Sequence, residues 1–134
     1  MQIEYKINTP VTAGQLAELF DASEIRRPTD DPDRLQRMID NANLTVTAWD
    51  GDKLVGCARA LTDFVWCCYL ADLAVHGDYQ KQGIGRELVE QVKVTIGNQV
   101  SLVLVSAPEA MAFYPRIGLQ AIDNGWIRKR TGYR

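Results

Sequence analysis

A mixed α/β sheet flanked by helices is the architecture expected of this chain, on three grounds. Ile84, Leu88, Val92 and Ile96 recur every four residues with Val89 beside them, which makes the apolar face of a helix. Leu102-Val103-Leu104-Val105 is short and wholly apolar, as a strand covered on both faces is. Leu44 to Trp49 and Lys53 to Leu61 flank Asp50-Gly51-Asp52, the pattern of two strands joined by a hairpin turn.

The remaining elements follow in order. Ile3 to Asn8 alternates, with Ile3, Tyr5 and Ile7 on one face, and reads as the first strand. Thr12 can cap a helix whose apolar face is Leu16, Leu19 and Phe20. Arg26-Arg27-Pro28-Thr29-Asp30-Asp31-Pro32 is a polar, proline-marked loop. Asp31 with Pro32 after it starts a second helix that runs through Leu35, Met38 and Ile39 to about Ala42. Asp63-Phe64-Val65 breaks the strand pattern, and Trp66 to Val75 resumes it as a long apolar strand. A loop from His76 to Tyr79 leads to the helix Gly83 to Ile96, which Gly97 ends. The strand Leu102 to Val105 is expected to be central and parallel to Trp66–Val75. Pro108 opens a helix ending near Gly118, and Leu119–Asp123 and Trp126–Arg130 close the chain as a hairpin about Asn124-Gly125. The expected order is β-α-α-β-β-β-α-β-α-β-β, with one crossover between parallel strands.

Composition narrows the function. The 134 residues are 46% hydrophobic, which suits a single domain spanning 1–134 with its own core. A net charge of −2 gives no footprint for nucleic acid. Three cysteines (Cys57, Cys67, Cys68) make an odd number, with Cys67 and Cys68 adjacent, so reduced thiols in a cytoplasmic protein are expected. A single histidine, His76, and no paired ligand spacing leave no metal site in the reading. The first residues lack the apolar core of a signal peptide, and no apolar run approaches a membrane span.

Chemistry concentrates in Gln80-Lys81-Gln82-Gly83-Ile84-Gly85, between the strand ending Leu73-Ala74-Val75 and a helix. A glycine-rich turn into a helix offers unpaired backbone N–H groups and the positive end of the helix dipole, a cradle for phosphate. Lys81 and Arg86 add charge. A dinucleotide fingerprint would need a glycine at Leu88 and an acid where the apolar strand Leu102–Val105 lies. A Walker loop would need Gly-Lys-Ser/Thr, which is absent.

The pattern Gln/Arg-x-x-Gly-x-Gly/Ala after a Leu-x-Val strand end resembles the pyrophosphate motif of the GNAT superfamily of N-acetyltransferases. The later Phe113-Tyr114-Pro115-Arg116-Ile117-Gly118-Leu119 matches in order and spacing. Gly56 to Asp63 and Asp72 to Val75 look like small bacterial members, and the middle of the chain is also similar to plant chloroplast acetyltransferases acting on serotonin and on protein or peptide amines.

The resemblance implies a sheet whose central parallel strands splay, acetyl-CoA as co-substrate and a primary amine, small-molecule or peptide, as acceptor. It implies that Leu73, Ala74 and Val75 pair with the pantetheine arm and hold the acetyl oxygen. Gln82, Gly83, Ile84, Gly85 and Arg86 would take the pyrophosphate, with Gln80 and Lys81 at the start of the loop. Tyr114 aligns with the tyrosine that protonates the departing thiolate, and its phenol is suited to that by acidity. Asp72, a lone carboxylate in an apolar strand, is a base or water-orienter, or else a structural carboxylate bonded at a bulge. Tyr69 and Tyr79 are runners-up for proton handling. His76 reads as a solvent-exposed loop residue. Arg26, Arg27 and Arg59 read as solvated or ion-paired rather than as an anion-binding acceptor site. Asp30, Asp31 and Asp33 read as helix capping, and Trp49 and Trp66 as core. In the superfamily the Ser23–Asp31 region covers the acceptor, and here its short, polar sequence implies an open acceptor site. A homodimer is among the expected assemblies. The rival reading is a non-catalytic acyl-CoA sensor or interaction module.

Overall fold

In the computed structural model, which describes residues 2–132, capping side chains open the first two helices where the sequence places them. Thr12 accepts from the Gln15 backbone while the Gln15 side chain accepts from Thr12, a complete capping box for α1 (Ala13–Ser23). Asp31 accepts from the Arg34 N–H and Pro32 occupies the first turn of α2 (Pro32–Asp40). The residues divide into two compact units at Leu104/Val105.

The first unit holds a five-stranded sheet in the order β1 (Glu4–Ile7), β2 (Leu44–Asp50), β3 (Lys53–Thr62), β4 (Cys67–Val75), β5 (Ser101–Val103). Pairing is antiparallel as far as β4, and β4 with β5 is parallel, as the apolar pattern implied. The crossover between them carries a 3₁₀ turn (Gly77–Tyr79) and α3 (Ile84–Ile96). β5 is an edge strand among the described residues, not a central one. It pairs with β4 alone, and Ser101 and Val103 face solvent.

The two faces of the sheet are set by alternation along β3. Cys57 belongs to the core cluster of Leu16, Leu19, Phe20, Leu35, Trp49, Leu54 and Ala74, so α1 and α2 cover that face. Its neighbour Gly56 points the other way, to α3. A Cβ there would lie 3.0 Å from Leu88 Cδ1, 3.1 Å from Ile84 Cγ2 and 3.2 Å from the Ala48 Cβ. Gly56 therefore brings the first turn of α3 tight against the sheet. Leu88, Val89 and Val92 complete the apolar stripe that the four-residue repeat announced.

β4 departs from simple alternation. Arg59 pairs with Asp72 but Ala60 pairs with Leu70, so Ala71 is an extra residue in a β-bulge. Adjacent residues of β3 face opposite sides, so their partners Leu70 and Asp72 do too, although they are two apart in sequence. Both are buried.

Trp49 is core, with its indole N–H donating to Thr47 Oγ1 at 2.7 Å. Trp66 is not core: it is 77% exposed. One oxygen of Asp63 accepts from the Val65, Trp66 and Cys67 amides, and this turn carries Trp66 out of the strand. Those three donors hold the Asp63 carboxyl down at about 2.

The second unit contains a 3₁₀ turn (Pro108–Ala110) and a short helix, α4 (Phe113–Arg116). A continuous helix from Pro108 does not form. Pro115 has no N–H to give the Met111 carbonyl and its ring would clash with it. The expected strands Leu119–Asp123 and Trp126–Arg130 are not formed among the described residues either. A lone hairpin that leaves Ile122, Trp126 and Ile127 in solvent buries too little to hold itself. The fold class is the expected mixed α/β one, with these departures.

Gly56→Val should destabilise the protein by about 1–3 kcal/mol through overpacking against Ile84 and Leu88. Urea denaturation followed by far-UV circular dichroism measures this, and an unchanged midpoint would show that α3 is free to move away from the sheet.

Candidate functional site

β4 is held on both sides only at its beginning. Its β3 side is paired from Cys68 to Val75, but its β5 side stops at Tyr69 opposite Val103. From Leu70 to Val75 no strand lies along that second side among the described residues. Leu73, Ala74 and Val75 fall in this opening, where alternate backbone N–H and C=O groups lack a ladder partner.

Four hydrogen bonds then fix the turn of the chain. The His76 N–H donates to the Val55 carbonyl at 2.9 Å. Its Nδ1 accepts from the Asp78 amide at 3.1 Å, so His76 caps the 3₁₀ turn and is half-buried rather than exposed. The Tyr79 hydroxyl donates to Asp50 Oδ2 at 2.6 Å, with the Lys53 ammonium 5.3 Å from the ring centre. That hydrogen bond to Asp50 is the main reason the Tyr79 phenol is pushed up from its ordinary value. Tyr79 thus ties the turn to the β2–β3 hairpin. Gln80 reaches back, its amide donating to the Val75 carbonyl at 3.0 Å. The first residue of the motif fixes the loop to the strand end.

Lys81 and Gly83 are both left-handed, at φ +64° and +86°. An added Cβ at Gly83 would meet nothing within 4 Å, so the requirement for glycine there is conformational and not spatial. α3 starts with no side-chain cap, and its first helical bond runs from the Glu87 N–H to the Gly83 carbonyl. The amides of Ile84, Gly85 and Arg86 are the uncommitted donors of a helix start. Lys81, Gln82, Gly83 and Arg86 are exposed, while the Ile84 side chain is buried and roots the turn in the core. An anion here would meet backbone donors, the helix dipole and two cationic side chains.

Asp72 is 2% exposed, yet both its oxygens are occupied. Arg27 Nε donates to Oδ1 at 2.5 Å, and Arg59 Nε donates to Oδ2. Arg27 also donates through Nη2 to the Ala71 carbonyl at 3.0 Å. The bulge turns Asp72 toward the α1/α2 face, where these guanidiniums wait. Neither Arg27 nor Arg59 was singled out by the sequence as its partner. The available signal was the pairing of Arg59 with Asp72 across the hairpin, which becomes visible only once the bulge is located.

Tyr69 is exposed at the edge where β5 pairing ends. In the second unit, Tyr114 lies in α4 with its ring edge-on to Phe113 at 5.1 Å. Apart from the loop, a cleft of about 240 Å³ lies between the β1–α1 connection and the end of α2, lined by Pro10, Leu16, Ile39, Cys57 and Arg59 among others. Burial pushes the Cys57 thiol up to about 12, which keeps it protonated and inert. Among the described residues no group of His, Cys, Asp and Glu could hold a metal, and no helix is long and apolar enough to cross a membrane.

A parallel strand pair that opens beside a glycine loop and a bare helix start defines an acetyltransferase-type α/β fold. The family model for the acetyltransferase (GNAT) family matches residues 14–119, and the chain belongs to that family. An uncharacterised ycf52-like N-acetyltransferase from Prochlorococcus marinus is 30% identical over 107 residues, 75% of this chain and 56% of that protein. The chloroplastic GCN5-related N-acetyltransferase 2 of Arabidopsis thaliana is 32% identical over 75 residues, covering 54% of this chain and 29% of that protein. The chain therefore matches only about half, or less, of the length of these relatives. Among solved structures, a putative acetyltransferase from Deinococcus radiodurans superposes with a TM-score of 0.77 at 27% identity, covering 95% of this chain and 88% of that one.

Asp72→Asn should cost about 3 kcal/mol or more, because it strips the charge from between two guanidiniums and leaves them facing each other. Chemical denaturation gives the value, and a loss below about 1 kcal/mol would mean the pair is worth no more than a surface ion pair.

Proposed function

We propose that the chain transfers acetyl from acetyl-CoA directly to a primary amine of a small molecule or peptide, in the cytoplasm. The observation that carries this reading is that the β5 ladder along β4 ends at Tyr69, so that Leu70 to Val75 lead into the Gln80–Gly85 loop with no strand on that side among the described residues. Backbone groups of Leu73, Ala74 and Val75 fit the amides and carbonyls of a pantetheine arm. Gln82, Gly83, Ile84, Gly85 and Arg86 would receive the pyrophosphate on backbone N–H groups, with Lys81 adding charge. Gln80 serves the same site by bracing the loop on Val75.

Starting from the ammonium form of the amine, the chemistry forms the amide C–N bond and breaks the thioester C–S bond; the nitrogen loses two protons, of which one balances the proton taken up by the departing sulfur and one is released to solvent. An N–H at the strand opening would stabilise the oxyanion that develops between these events. Tyr114 is assigned the proton donor to the departing sulfur, on the resemblance of Phe113 to Leu119 to the family segment. Asp72 is assigned a structural role, since both its oxygens already accept from arginines, and the amine proton leaves through water. Tyr79 is assigned to anchoring, because its hydroxyl is committed to Asp50.

Isothermal titration with acetyl-CoA should show saturable one-to-one binding, and no heat at any concentration would end the reading. Gly83→Val should weaken that binding at least about tenfold by straining the left-handed turn. Tyr114→Phe should lower turnover by about 10²-fold with affinity for acetyl-CoA retained, measured by thiol release over an amine panel. Tight binding with no thiol released from any amine would instead identify an acyl-CoA sensor.

A further inference from the structure

Arg27 lies in the connection between α1 and α2, 45 positions before Asp72. Three hydrogen bonds spread from its guanidinium. Nε donates to Asp72 Oδ1 at 2.5 Å, Nη2 to the Ala71 carbonyl at 3.0 Å and Nη1 to the Arg26 carbonyl at 2.6 Å. Ala71 is the bulged residue of β4 and Asp72 is the next, so one planar group holds both residues at which the strand leaves its ladder.

Charge balance does not explain this arginine. Arg59 already neutralises Asp72 from the opposite strand, and its side chain is the more buried of the two, 11% exposed against 29% for Arg27. A second guanidinium makes the cluster net positive. What Arg27 adds is geometry: one guanidinium ties the carbonyl of its own neighbour Arg26 to the Ala71 carbonyl and the Asp72 carboxylate, which lie 44 and 45 positions away.

We propose that Arg27 is a positioning residue for acetyl transfer. It latches the α1–α2 connection onto the β4 bulge, so that the opened strand end Leu73–Val75 presents its backbone in one geometry. The inference rests on the reading of β4 as the cofactor strand. Leu73 follows the latch by two residues, about 7 Å of extended chain. A displacement of about 1 Å at reacting groups is enough to cost about 10²-fold in rate. The same latch fixes the segment around Arg26 to Pro28, so that the α1–α2 connection and the cofactor strand move together or not at all.

Arg27→Lys tests this, since it keeps the charge and removes the planar fork. Hydrogen exchange on the free protein should be faster at the amides of Arg26, Arg27, Thr29 and Asp30 and of residues 70–74, with α3 unchanged. Steady-state kinetics should show kcat lowered at least about tenfold with KM for acetyl-CoA within about threefold, at nearly unchanged Tm. Unchanged exchange at 70–74, or wild-type kcat per folded molecule, overturns the proposal. Should the wild-type protein bind no acetyl-CoA, the acetyl-transfer reading fails by itself, and the exchange comparison still decides whether Arg27 is a latch.

Discussion

One buried carboxylate organises the first unit. Asp72 sits at 2% exposure with a guanidinium on each oxygen, one from the neighbouring strand and one from the α1–α2 connection. A charge in that position is tolerated only when paired and fully hydrogen-bonded. Arg59 supplies the counter-charge on one oxygen, and Arg27 occupies the other while holding the Ala71 carbonyl beside it. The bulge at Ala71 is what lets Asp72 face them, and the same bulge separates Leu70 and Asp72 onto opposite faces of the sheet. Polar pairing on one side and apolar packing on the other follow from a single extra residue.

The position of the bulge also matters for what lies beyond it. Pairing to β5 ends at Tyr69, two residues earlier, and the strand runs on to Val75 with no strand paired to that side among the described residues. On the other side β3 holds it in register, and Gly56 allows α3 to press against that strand through Ile84 and Leu88. The opened edge and the helix start are thus placed by the same piece of β3. A loosening of β3 would disturb both together.

Much of this was legible in the residues, and the rest was hidden for identifiable reasons. Thr12, Asp31, Asp50-Gly51 and the Ile84 repeat act locally, so they announce their elements without help from tertiary structure. The Gln80–Gly85 loop is equally local. The bulge is not: Tyr69-Leu70-Ala71-Asp72 reads as unbroken strand, and only register with β3 reveals the extra residue. Arg27 was missed as the partner of Asp72 because the pair spans 45 positions. Trp66 was misplaced because its exposure depends on one Asp63 oxygen gathering three amides, a turn that composition does not display. The strand signals after Leu119 promised a hairpin that needs a neighbour before it can form. The role of Tyr114 still rests on resemblance.

The braces on the loop have a thermodynamic meaning. Tyr79 is fastened to Asp50 and Gln80 to Val75, so the backbone before Gly83 is secured to β2 and to β4. A phosphate-binding loop that must be ordered by its ligand loses part of its affinity to lost chain entropy. Here that ordering happens once, during folding, at the expense of the protein's own stability. An anion taken up at this loop would meet a backbone already braced, so its recognition would draw on shape set by the protein's own fold.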